Sequence, residues 1–187
     1  MNNDVSKSLV AIENLVDDYK CVRDKFLSSE PSSAQNILHH LKKMLILSCA
    51  SHYENAIMDA LKDYAKKHSA KCDCSPHGFD KMSEYSFFKI FNFGRNDEIK
   101  KPTDFLKDIH CLGEGFKNAI IKEIAEDDSK KAKMNAFREI CLMRNALAHC
   151  DLISYNVAEN KSFDDINNLH KDAMQFVKLF TSKFDII

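Results

Sequence analysis

The stretch LILSCASHYENAI, residues 45 to 57, limits the fold more than any other part of the chain. Wound as a helix it is apolar or small around most of its circumference, and a helix clothed on several sides has to sit in the middle of others. The surrounding pattern predicts one long helix over about 33 to 68. The 187 residues include only four glycines and three prolines, so long helices with short connections follow and all-β folds are disfavoured. With 44% hydrophobic residues the chain can bury a real core, and the expectation is a single helical domain over 1–187.

The remaining periodicity supports an all-α bundle. Val5, Leu9, Ile12, Val16, Tyr19, Val22 and Phe26 recur every three or four positions and predict an amphipathic first helix over about 4 to 28. SSEPSSAQN ends it, and Ser32 or Ser33 can cap the next. Residues 70 to 102 break the pattern with KCDCSPHGFD, the aromatic SFFKIFNF and the polar GRNDEIKKP. An irregular insertion is expected there, its Phe87, Phe88, Phe91 and Phe93 closing over the bundle, with a short strand pair as the alternative. Thr103 is placed to cap a short helix reaching about His110, and another helix follows Gly113 and Gly115 as far as Asp127 and Asp128. From Ser129 to His149, Phe137, Cys141 and Ala148 mark one stripe with Arg144 on it, flanked by Ile140, Met143 and Leu147. After the loop DLISYNVAENKS, the residues Phe163, Ile166, His170, Ala173, Val177, Phe180 and Phe184 mark a last helix.

Charge and cysteine usage narrow the class. A formal net charge of −1 provides no global basic field, so a polyanion would need a local patch. Lysines cluster at 62, 66, 67 and 71, at 100, 101 and 107, and at 130, 131 and 133, either as solvated helix faces or as such a patch. The seven cysteines are odd in number and scattered, several of them on apolar helix faces, as reduced core residues are. The amino terminus has no charged segment leading into an apolar run, and MLILSCA at 44–50 is too short to span a bilayer. A cytoplasmic protein is expected.

Chemistry-bearing residues converge near the end of the fourth long pattern. Arg144 on an apolar stripe has to be paired or to line a cavity, and Glu54 and Glu139 are candidate partners. His149, five residues on, is either an ordinary helix-end cation or a proton-transfer group. Five residues correspond to about 7.5 Å of rise and a rotation of about 140°, so the two side chains diverge along a regular helix. They can meet one substrate if the helix ends between them, or if two copies of the chain bring their motifs together. Composition alone would produce this spacing in roughly one such chain in six, so the context has to carry the assignment. Cys72-x-Cys74-x-x-His77 is the one metal-like spacing, but it offers three local ligands and no second knuckle, and no metal or other cofactor is expected. No Gly-rich phosphate loop and no G-x-S-x-G elbow occurs.

RNALAHCD, at 144–151, resembles the R-N-x-x-x-H signature of the HEPN superfamily. LSCASHYENAIMDALKDYAKK resembles the central helix of its RiboL-PSP branch, with an aromatic–Glu pair at Tyr53 and Glu54, and FFKIFNFGRNDEIKK is similar to that branch's middle segment. The resemblance spans roughly residues 36 to 184. It implies a helical bundle that forms a homodimer and cuts RNA without a metal, the 2′-hydroxyl serving as nucleophile. Such proteins often act as toxins or anti-phage effectors, held in check by an antitoxin or regulatory protein. The roles fall on Arg144 as the cation for the developing phosphorane charge, His149 as proton-transfer group, and Asn145 as the residue that orients His149 or holds a phosphate oxygen. Glu54 and Asp151 are the implied supporting residues, Glu54 by fixing Arg144. Cys150 stands where some relatives carry a glycine. A HEPN module that binds RNA, a nucleotide or a protein without cutting is the alternative.

Overall fold

The computed structural model describes residues 3–26, 32–69, 91, 105–106, 112, 114–149 and 161–185. These are α-helical apart from short turns and single 3-10 turns, and no strand occurs among them. Five α-helices follow in order: α1 (Asn3–Phe26), α2 (Ser32–Ser69), α3 (Glu114–Ala125), α4 (Asp128–His149) and α5 (Phe163–Ser182), the last running into a 3-10 turn at Lys183–Asp185. The all-α expectation holds, with each long helix within a few residues of its expected bounds. Of the short helix expected after Thr103 only Phe105 and Leu106 are described, in a 3-10 turn; the rest of it, the loop after His149 as far as residue 160 and most of the 70–102 insertion, including Phe87, Phe88, Phe93, Cys72, Cys74 and His77, lie outside the described residues.

Local chemistry explains the helix starts. Asp127 caps α4, its Oδ1 accepting from the Ser129 N–H at 2.8 Å and the Lys130 N–H at 3.3 Å. Ser162 caps α5 in a reciprocal box: the Asp165 N–H donates to Ser162 Oγ at 3.0 Å, and Ser162 N–H and Oγ–H donate to Asp165 Oδ2 at 2.8 and 2.7 Å. These bonds hold the Asp165 carboxyl below its ordinary pKa. Gly115 falls inside the first turn of α3 instead of preceding it.

The described residues divide into two compact units. The first contains 1–52 and 139–171, the second 53–138 and 172–187. In the first, Tyr19 of α1 stacks on Phe163 of α5 with ring centroids 3.6 Å apart, and Ser8 of α1 shares a 2.6 Å hydrogen bond with Nδ1 of the buried His52. Leu45, Ile46 and Cys49 of α2 and Ile140 of α4 are buried there. The second unit is built on aromatic contacts. Phe137 of α4 meets Tyr53 at 5.5 Å, Phe91 at 5.1 Å, Phe105 at 5.9 Å and Phe176 at 5.1 Å. Phe91, the described member of the aromatic insertion, is fully buried and also packs on Phe180 at 5.2 Å. Such tilted and edge-on pairs add to the area each ring buries.

The stripe expected along α4 needs correction at its end. Met134, Phe137, Ile140, Cys141, Met143 and Leu147 form the buried face, whereas Ala148 is exposed and Arg144 is half-buried at the edge. The helix therefore turns Leu147, not Ala148, inward.

Phe137→Ala should lower the unfolding free energy by about 3–5 kcal/mol through the lost ring and the cavity it leaves, as read by denaturant titration. Ser162→Ala should cost about 1 kcal/mol in the same assay.

Candidate active site

α4 carries the three residues with the clearest chemical potential over its last six positions. It remains helical through His149, so the route in which the helix ends between Arg144 and His149 does not apply. Along a regular helix Asn145 is turned about 100° from Arg144, while His149, four residues after Asn145, lies about 40° from it. The Arg144 guanidinium spans that first gap: its Nη1 donates to Asn145 Oδ1 at 3.2 Å. Asn145 thus ties Arg144 toward the side of the helix on which His149 lies, and with Oδ1 accepting, its Nδ2 is left to donate. Arg144 and Asn145 are both half-buried, reachable from solvent yet partly shielded from it.

Glu139, one candidate partner of Arg144, forms an ion pair with Lys161 at 2.8 Å, and no bond to Arg144 is among its interactions with the described residues. Glu54, the other, is half-buried on α2. Asp151 and Cys150 lie outside the described residues.

The lysine clusters also sort by unit. Lys62, Lys66, Lys67, Lys130, Lys131 and Lys133 fall in the second unit, and Lys130 is bound to Glu123 at 2.7 Å. Lys183 pairs with that same carboxylate, whose pKa the two lysines lower. In the first unit, with Arg144 and His149, the basic group is instead His39, His40, Lys42 and Lys43 on α2. Sequence reasoning passed over it, although HHLKK places four such side chains in five positions.

A second overlooked feature is the histidine pair His52 and His170, both buried in the first unit. Burial lowers the pKa of each. For His170, burial and then the charges of His52 and Lys171 bring it to about 4. No group of three or more metal-ligating side chains occurs among the described residues, and none of their helices is long and apolar enough to cross a membrane.

A histidine held below its unfolded pKa stays neutral in the fold, so its stabilisation is complete above pH 6.5 and is lost as pH falls toward about 4. Over that window the unfolding free energy should drop by roughly 3 kcal/mol on account of His170. His170→Gln should flatten this part of the profile, measured by denaturant titration at several pH values.

Comparison with known proteins adds one finding. A family model described as RiboL-PSP-HEPN matches residues 7–185. No curated protein and no solved structure matches the chain.

Proposed function

From the premise that the chain belongs to the RiboL-PSP-HEPN family, we propose that it is a metal-independent endoribonuclease. HEPN domains are often ribonucleases or nucleotide-binding modules, and the choice between these rests on the chemistry of α4. The observation that carries the nuclease reading is the Arg144–Asn145 hydrogen bond, which draws the one permanent cation of the R-N-x-x-x-H motif toward the side of α4 that bears His149.

In the proposed reaction His149 takes the proton from an RNA 2′-hydroxyl, and the 2′-oxygen attacks the adjacent phosphorus. The bond from phosphorus to the 5′-oxygen breaks, and that oxygen takes a proton from the second histidine of a homodimer. The products are a 2′,3′-cyclic phosphate and a 5′-hydroxyl. Arg144 holds the charge that develops on the phosphoryl oxygens, a preorganised interaction strengthened where water is partly excluded. Asn145 keeps the guanidinium in place and presents its Nδ2 to a phosphate oxygen. Continuous helix between Arg144 and His149 supports the dimer, because two copies of the motif facing one another supply groups that a single helix turns apart. An intracellular toxin or anti-phage effector, restrained by an antitoxin or regulator, is the biological setting this reading fits.

Purified protein incubated with RNA in EDTA should leave 2′,3′-cyclic phosphate ends. His149→Ala should fold normally and cut on the order of a hundredfold or more slowly. Arg144→Lys should also be strongly impaired, since an ammonium lacks the planar fork. Cleavage by His149→Ala at the wild-type rate would sink the mechanism, and RNA or nucleotide binding without cleavage by the wild type would make the chain a silent HEPN module.

A further inference from the structure

The HHLKK segment of α2 contains a side chain that the nuclease reading leaves unused. Lys43 is only 2% exposed, and among the described residues its Nζ has no hydrogen-bond partner. A buried ammonium with no counter-charge is strongly unfavourable, so its neighbours become decisive. None of them carries a negative charge. Burial lowers the pKa of Lys42, and burial followed by the charges of Lys43, Lys42 and His40 lowers that of His39. Among the described residues no carboxylate pairs with any of the four.

The group shares a unit with the end of α4: the first unit takes in α2 up to His52 and α4 from Glu139 onward. Lys43 begins the buried row Lys43, Ile46 and Ala50 on α2. The carbonyls that end α4 attract a cation in general, yet Lys43 Nζ bonds to none of them among the described residues. Exposure grades from His40, which is exposed, through His39 and Lys42, which are half-buried, to Lys43. The four-carbon stem of a lysine lets its ammonium turn outward to an anion arriving at that rim.

We propose that Lys43, with His39 and Lys42 at its rim, binds a backbone phosphate of single-stranded RNA in the unit that carries Arg144. The anion supplies the counter-charge that the described residues do not. The identity of the ligand as RNA rests on the nuclease reading; the existence of an anion site at Lys43 does not.

The test compares wild type, Lys43→Met, Lys42→Ser and His149→Ala. Each is measured for anisotropy binding to a non-cleavable 2′-O-methyl RNA oligonucleotide over a range of salt, for cleavage of the unmodified RNA in EDTA, and for melting temperature. Lys43→Met should bind about tenfold more weakly. The slope of log affinity against log salt should become shallower by about 0.7. Its melting temperature should hold or rise, because an unfavourable buried charge is gone. Unchanged binding overturns the proposal, as does a lowered melting temperature with unchanged binding, which would assign Lys43 to the end of α4. Absence of oligonucleotide binding by the wild type overturns it too. Should Lys43→Met fail to fold, the half-buried Lys42→Ser decides by the same criteria. Binding that depends on Lys43 without any cleavage would remove the nuclease mechanism and keep the phosphate site. Cleavage that depends on His149, with binding and cleavage unchanged in Lys43→Met, would do the reverse.

Discussion

Phe137 is the contact on which the second unit turns. Its ring meets Tyr53 of α2, Phe176 of α5, and Phe91 and Phe105 from the segments that precede α3. Close-packed rings tolerate little sliding or rotation, since a small displacement loses contacts on several sides at once. The rotation of α4 about its own axis is therefore set at residue 137. Because α4 runs unbroken from Asp128 to His149, that rotation also decides the directions in which Arg144 and Asn145 point.

The first unit has a different interior. Where the second is filled mainly by aromatic rings, the first buries His52, His170 and Lys43 together with Phe163 and aliphatic side chains. The two histidines solve the problem of burial by staying neutral, and His52 keeps a hydrogen bond to Ser8. The buried polar groups thus collect in the unit that contains the end of α4.

Much of this was legible in the sequence because periodicity reports burial directly. The apolar girdle of LILSCASHYENAI marked α2 as central, and Leu45, Ile46, Cys49, Tyr53 and Ile57 are fully buried. His170 stood in the apolar row of α5 and is buried as that row requires. Ala148 misled because a small apolar residue at a helix end is compatible with either face. Lys42 and Lys43 were passed over because two lysines on a long helix look like a solvated face, and nothing local distinguishes a buried ammonium from an exposed one. The partner of Glu139 was equally hidden: Lys161 is 22 residues away along the chain.

The sequence by itself determined the helical class, the approximate bounds of the long helices, and the motif residues Arg144, Asn145 and His149 together with the family they signal. These follow from short-range spacing, which a helix converts directly into faces and ends. Tertiary structure decided that Phe91 belongs to the core, that Glu139 is taken by Lys161, that Arg144 leans onto Asn145, and that the basic group accompanying the motif is the one on α2. Each of those depends on which distant segments share a unit and how far each helix is rotated within it, and burial and pairing at such places arise only once the helices are packed.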